Sequence, residues 1–455
     1  MSSIKNSTFM DVNKISNSFR NINKENSIAE KNSEQKENKI KSELHQDLFW
    51  TFRILIVFFK LIGLATFVHR IVIYKKRTLY TFQYSKLGIV YNVVLSSLMI
   101  ASNYMSIPYR INDDYAEKNL TVGIKILQTV LGTLVICVTL ISYCINQKSL
   151  VRIANQLITV EDEIDRIYDL YYPLQRQRIF YTIMIVCVLK INLLILLLFT
   201  EILVFHTGPV SWLTDVLPTF HVGWLFIQYF LLVTIIQTDF ADVNRAIQSL
   251  IRINTSDLQL QSLYRTHIIV NNSTIHQLLQ LRNVHCHLCK ITEDVSSFYS
   301  LPLLFGIVFF FLTLIYSGYF FFSFLLTDDI LNYSYNIGVI IWIIFLIYPI
   351  YLLTSKITRI LIEMKKTGNI VHDLLNCAIG KEIKAELKKF SFQLLHRKIQ
   401  FTANGYFMLD NTFLHSLIGT VVTYLIIFVQ FQMESSRSSI RQQCNYTERD
   451  LKEAE

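Results

Sequence analysis

The chemistry open to this chain begins with one side chain in an awkward place. Near the end of its last apolar run, Thr423 and Tyr424 are followed by five apolar residues, then by Gln430 and Phe431. An unpaired amide in hydrocarbon is costly, so Gln430 is expected to face protein or water. On a helix, residues three, four and seven apart share a face. That spacing groups Gln430 with Thr423, Ile426 and Ile427, and leaves Tyr424, Phe428 and Phe431 as an adjacent aromatic stripe. Repeated about an axis by several copies, the first face would line a pore, with Ile426 and Ile427 as a dewetting constriction and Gln430 at its mouth. Spacing alone favours a plainer arrangement, a helix interface in which Gln430 hydrogen-bonds to a neighbour.

Other constellations are weaker. Lys190 and Asn192 fall in the middle of an apolar run, and a lone ammonium at that depth faces either protein or a water-filled cavity. Trp224, Tyr316, Tyr319 and Trp342 could stack on a ligand, although aromatics in such helices more often pack or anchor at the interface. His285, Cys286, His287 and Cys289 resemble a metal cluster only at first sight. Their spacing lacks a second pair, and on one helix they would not all point the same way. The acidic run Glu161, Asp162, Glu163 and Asp165 reads as a solvated face. Neither a glycine-rich phosphate loop nor a nucleophile elbow is found, so no cofactor, metal or enzymatic activity is expected.

These side chains must be positioned by membrane helices. Of 455 residues 52% are hydrophobic, and only six are proline; the mean hydropathy is +0.37. A span needs about 20 apolar residues, and candidates run at 83–106, 121–147, 178–206, 217–244, 299–326, 336–355 and 411–432. The chain is therefore expected to be an all-α, polytopic membrane protein with seven transmembrane helices. An eighth apolar stretch, 46–74, is punctuated by Arg53, Lys60, His69 and Arg70, and reads as an amphipathic helix on the cytoplasmic interface. The seven cysteines are scattered and imply no disulfide framework. The net charge of +9 is spread between apolar runs, which points to topology rather than to a nucleic-acid partner.

Lys and Arg set the orientation. With the N-terminus inside, the first 84 residues carry 14, and the loops 148–177, 245–298 and 356–412 carry 4, 5 and 10. The outer loop 107–120 carries two, the C-terminal tail four, and the loops 207–216 and 327–335 none. Thirty-three inside against six outside predicts a cytoplasmic N-terminus and an extracellular C-terminus. Acceptor sequons at Asn119, Asn332 and Asn445 all fall outside on this topology, as glycosylation requires. A G-protein-coupled receptor would need the opposite orientation. A secondary transporter would show paired broken helices in related halves, whereas one break, near Gly405, is apparent.

The two long inner loops carry apolar residues at helical spacing, such as Val243, Ile247, Leu250 and Ile251, or Ile357, Ile360, Leu361 and Met364. Membrane helices are therefore expected to continue into the cytosol and pack there. Gly405 offers a break and Asp410 an N-cap for the last helix. The resulting division is a disordered cytoplasmic tail without a signal peptide (1–45), an amphipathic interfacial segment (46–80), six membrane helices with cytoplasmic extensions (81–390), a helix and bend (391–410), the seventh membrane helix (411–432) and an extracellular tail (433–455).

Taken together, Phe401 to Gly405, Leu409, Asp410 and the string Thr423-Tyr424-x5-Gln430-Phe431 resemble the C-terminal signature of insect gustatory receptors. Phe59 to Ala65 is similar to that family's apolar opening motif. The resemblance implies a taste receptor subunit of the sensory-neuron plasma membrane, related to insect odorant receptors. Such a subunit assembles as a homo- or heterotetramer with related subunits, surrounded by membrane lipid. The tetramer is a ligand-gated, non-selective cation channel: it binds a small-molecule tastant, passes cations and drives acceptance or avoidance. By the same resemblance the seventh helix lines the pore and Gln430 with Phe431 forms the gate. The cytoplasmic ends of the fourth to seventh helices form the anchor, and the first six helices enclose an outward-facing pocket. Lys190, Asn192, Trp224, Tyr316, Tyr319 and Trp342 are its candidate contacts. Many sugar-receptor members carry an acidic residue after the Thr-Tyr pair; here that position is Leu425, which argues against the main sugar clade and leaves the fructose-type, bitter and other branches open.

Overall fold

The computed structural model describes residues 53–74, 77–113, 119–168, 173–208, 212–261, 272–325, 332–377, 381–397 and 399–453. The expected tail 1–45 lies outside them. Contacts divide the chain into a unit comprising residues 1–58 with 172–182 and a larger one comprising 59–171 with 183–455; the packing described below is that of the larger unit.

A short helix α1 (53–61) ends at Gly63, whose φ is +80°. Leu64 N donates to Phe59 O at 2.8 Å and Gly63 N to Lys60 O at 3.1 Å, the paired bonds of a Schellman stop. The strands β1 (Phe67–Tyr74) and β2 (Arg77–Tyr84) follow as an antiparallel hairpin. The amphipathic helix expected over 46–74 is corrected accordingly. Gly63 terminates it, and the β-branched and aromatic residues after Ala65 suit a ladder better than a helix.

Helices α2 (Lys86–Asp113), α3 (Asn119–Ile145), α4 (Gln147–Tyr168) and α5 (Pro173–Leu203) come next. A π turn, Trp212–Val216, leads into α6 (Leu217–Gln261). Then follow α7 (Asn272–Leu325), α8 (Asn332–Cys377), α9 (Lys381–His396), a small hairpin of β3 (Thr402–Ala403) and β4 (Phe407–Met408), and α10 (Asn411–Glu453). Among the described residues seven helices, all but α1, α4 and α9, are long and apolar enough to cross a membrane, which makes this a multi-pass membrane protein. At about 1.5 Å per residue, α6, α7 and α8 are far longer than a bilayer core of roughly 30 Å. Two boundaries differ from expectation. The helix before the bend begins at Lys381 rather than near 391, and α10 stays helical past residue 432, although its apolar span ends at Phe431.

The segment after α1 is plugged into the helices by side-chain donors. Asn92 Nδ2 of α2 reaches Gly63 O at 2.8 Å, Gln228 Nε2 of α6 reaches Leu64 O at 2.8 Å, and Gln147 of α4 bonds to Thr66 O. Tyr143 OH in turn donates to Gln228 Oε1 at 2.5 Å. Leu64 and Thr66 are buried, so their carbonyls need these partners. The first turn of α2 lies against the same segment. A Cβ on Gly88 would stand 2.6 Å from Thr66 O and 3.1 Å from Thr66 Cα. Backbone cannot swing aside as a side-chain tip can, so Gly88→Ala should cost about 1–3 kcal/mol. A loss of folded, detergent-stable protein in a thermal melt would show it, and an unchanged melting curve would speak against this packing.

The candidate gate helix and the interior helix seam

Helix α10 is positioned by the small hairpin before it. Phe401 and Ala403 are buried, and Asn404 and Gly405 both have positive φ, +51° and +80°. That pair suits the turn closed by Tyr406 N to Ala403 O at 3.0 Å, and Asn-Gly is the sequence that favours it. Asp410 caps α10, accepting from Thr412 N at 3.0 Å and Phe413 N at 3.1 Å, and from the Thr412 hydroxyl. The Thr412 hydroxyl first, then these amides, hold its carboxyl below the usual carboxylate range. The cap is therefore complete above the ordinary aspartate range and is lost as pH falls through the lowered value.

Around that end the long helices interlock. Asn244 Nδ2 of α6 reaches Glu363 O of α8 at 2.9 Å, and Thr367 Oγ1 returns to Asn244 Oδ1 at 2.7 Å. Arg282 of α7 pairs with Glu386 of α9 at 2.6 Å. His285 is buried between the rings of Phe240 and Phe390, while His287 lies 3.7 Å from Glu163. Asn411 N donates to Thr358 Oγ1 at 3.0 Å, which ties the start of α10 to α8.

Along α10 the contacts with α7 lie on one face, on which Tyr424 is nonetheless 45% exposed. Leu425 is 8% exposed and sits over Gly318 of α7, where an added Cβ would meet Leu425 Cδ1 at 2.7 Å. Tyr424 packs edge-on against Phe311, and Phe428 against Tyr319, each at 6.1 Å. The aromatic stripe thus faces α7, except for Phe431, which is 70% exposed. The other face is open: Ile426 is 54% and Ile427 39% exposed, and Thr423 and Gln430 are exposed too. Thr423 Oγ1 donates back to Gly419 O at 2.9 Å, so the hydroxyl is satisfied within its own helix.

The remaining candidates do not form one group. Lys190 is fully buried where α5, α6 and α8 meet. Its Nζ donates to Phe345 O at 3.1 Å and lies 3.2 Å from the centre of the Phe345 ring, and it stands where a Cβ on Gly223 would be. Trp342 belongs to the same α5–α8 seam, packed against the cluster of Leu197, Val216, Ile341 and Phe345. Trp224 is also buried, edge-on to Phe59 at 6.2 Å. Asn192 is exposed, on another side of α5 from Lys190. Tyr316 and Tyr319 flank Phe320 on α7, near α10. Asn119 and Asn332 are the first residues of α3 and α8, and Asn445 lies in the last turns of α10.

Glu201 is a functional candidate that motifs and spacing do not single out. It is 6% exposed and accepts from Trp342 Nε1 at 2.6 Å and Thr207 Oγ1 at 2.6 Å, while Trp212 Nε1 reaches Thr207 Oγ1 at 3.0 Å. A signal is nonetheless present in the chain: a carboxylate inside an apolar run needs partners, and two tryptophans lie on neighbouring segments.

Among the described residues, seven helices long and apolar enough to cross a membrane, the last of them capped by Asp410 and open along one face, define a polytopic membrane fold. The same fold is found in the insect olfactory receptor OR5 from Machilis hrabei, with a TM-score of 0.56 and 16% identity over 85% of this chain and 99% of that one. That receptor has also been solved in complex with eugenol. The profile of the 7tm chemosensory receptor family matches residues 52–435, and the chain belongs to that family. Among curated proteins it is similar to the putative gustatory receptors 28a and 28b of Drosophila melanogaster. The first is 24% identical over 256 residues, 49% of this chain and 56% of that protein. The second is 30% identical over 196 residues, 41% of this chain and 42% of that protein. The chain thus spans about half the length of the curated relatives it matches.

Proposed function

We propose that the chain is a gustatory receptor subunit: a ligand-gated, non-selective cation channel in the plasma membrane of sensory neurons, opened by a small-molecule tastant and directing acceptance or avoidance. The observation that carries this reading is the divided surface of α10. Leu425 and the Tyr424 and Phe428 rings are committed to α7, whereas Thr423, Ile426, Ile427 and Gln430 point away from the subunit. Lipid would penalise the Gln430 amide. Four copies about an axis, identical or mixed with related subunits, would give it water, and two isoleucines below it would exclude water from the closed pore.

In this reading Gln430 and Phe431 form the gate. The intracellular ends of α6 to α10 hold the subunits together, and the C-terminus is extracellular with Asn119, Asn332 and Asn445. The ligand enters between α5, α6 and α8, near Lys190, Trp342 and Glu201. A tastant can open the gate only by binding the open arrangement more tightly than the closed one, and the Tyr319–Phe428 contact joins α7 to the gate helix. Replacing Gln430 by alanine should change conductance or gating while surface expression stays near wild type, because the side chain lies on the open face of α10. Patch-clamp recording with surface labelling tests it; wild-type currents from that variant would remove Gln430 from the gate.

A further inference from the structure

Glu201 stands at the end of a chain of hydrogen bonds whose direction is set by two tryptophans. An indole N–H can only donate. Trp342 Nε1 of α8 donates to Glu201 Oε1 at 2.6 Å, and Trp212 Nε1 of the π turn donates to Thr207 Oγ1 at 3.0 Å. With its oxygen accepting from Trp212, the Thr207 hydroxyl has its own hydrogen left for Glu201 Oε2, at 2.6 Å. Both side-chain oxygens of Glu201 therefore accept, the arrangement of an ionised carboxylate.

A proton added from water has two places to go. On Oε1 it would point at the Trp342 N–H, hydrogen against hydrogen. On Oε2 it would make the Thr207 hydroxyl turn its own hydrogen away, and Glu201 O, 3.1 Å from Thr207 Oγ1, is placed to receive it. The second route keeps every donor paired but removes the charge from the bond to Trp342, and a charge-assisted bond is roughly twice as strong as a neutral one. Glu201 is only 6% exposed, yet Thr207 and Trp212 beside it are half-buried, and His206 and Gly208 are exposed. Of the titratable groups described on the surrounding elements, Asp215 of the π turn acts on Glu201 with a like charge, His206 is turned to the surface, and Tyr335 of α8 packs on Phe205 at 4.5 Å. Lys190 is eleven residues back on α5, roughly 16 Å away, and is held by Phe345 O.

We propose that Glu201 is a proton-binding site through which acid regulates the α5–α8 contact. Ionised, Glu201 ties the end of α5 to α8 through Trp342 and to the following turn through Thr207. Protonated, it reverses the Thr207 bond and loosens the Trp342 tie. The tie is complete while Glu201 is ionised and is lost as pH falls through its titration. Proton binding does not depend on the channel reading; an effect of acid on tastant binding rests on the ligand entering between α5, α6 and α8.

Infrared difference spectra of the full-length protein in membranes, taken between neutral and mildly acidic buffer, read the site with protons as the only probe. Wild type should gain a carboxylic-acid C=O band that Glu201→Gln lacks; the amide has nearly the same shape and keeps both contacts, donating to Thr207 as the protonated acid would. Thr207→Val removes a donor to the charged form, so the band should titrate at higher pH, with a proton affinity at least about threefold greater than in wild type. The Trp342 N–H, followed by ultraviolet resonance Raman and assigned with Trp342→Phe, should show a weaker hydrogen bond in acid in wild type and no pH dependence in Glu201→Gln. An acid band that survives in Glu201→Gln, a Thr207→Val titration at or below that of wild type, or a Trp342 N–H that ignores acid would each overturn the proposal. If all three hold while acid leaves tastant responses unchanged, the proton site stands and ligand entry between α5, α6 and α8 is refuted.

Discussion

Replacing Ile427 by serine should produce a channel that leaks. Ile426 and Ile427 stand on the open face of α10, one turn from Gln430, and in the proposed assembly they form a ring that excludes water from the closed pore. A hydroxyl there can hold water across the constriction. Lowering the barrier by about 1.4 kcal/mol would raise the ligand-independent current roughly tenfold. The substitution removes little packing within the subunit, so surface expression should hold, and Ile427→Val should stay closed. The holding current of cells expressing each variant, normalised to surface protein, makes the comparison. A serine variant as silent as wild type would place the constriction elsewhere.

Leu425→Asp should fail for the opposite reason. Leu425 is 8% exposed, with its methyl groups filling the space a Cβ on Gly318 would take, 2.7 and 2.8 Å away. The two residues form a complementary pair that lets α10 lie close on α7. A carboxylate there would be buried without a cation, at a cost of several kcal/mol, a large part of the stability of a typical domain. The expected result is loss of mature protein at the cell surface, with Leu425→Met tolerated. The acidic residue that many sugar receptors carry at this place in the resembling motif would need a different surface opposite it. Normal surface levels of the aspartate variant would show that the contact is dispensable.

The division of α10 into a committed and an open face shows how far sequence could reach. Helical spacing groups Thr423, Ile426, Ile427 and Gln430 on one face, because a 3.6-residue period is a property of the backbone and not of the neighbours. It also places Tyr424 and Phe428 on one stripe, but only packing tells which stripe meets α7. All seven spans are legible, since a helix in a soluble domain rarely needs an apolar run long enough to cross the bilayer. Gly405 and Asp410 are legible as a break and a cap for the same local reasons. The features that sequence does not reveal depend on tertiary context. The hairpin at Phe67–Tyr84 lies in an apolar stretch with too few periodic cues to separate strand from helix. The carbonyls of Gly63, Leu64 and Thr66 find donors on α2, α6 and α4, which no local pattern announces. Glu201 looks like an isolated charge until Trp342 and Thr207 close around it.

The central claim, that the open face of α10 lines a water-filled pore, is tested most directly by cysteine scanning. Cysteine would be placed in turn at Thr423, Leu425, Ile426, Ile427 and Gln430, and a charged methanethiosulfonate applied from outside during recording, with wild type as the control for native thiols. Modification should change the current at Thr423, Ile426, Ile427 and Gln430 and leave Leu425 untouched, a pattern with the period of a helix. Reaction at Leu425, or silence at the other four, would contradict a pore built from this face.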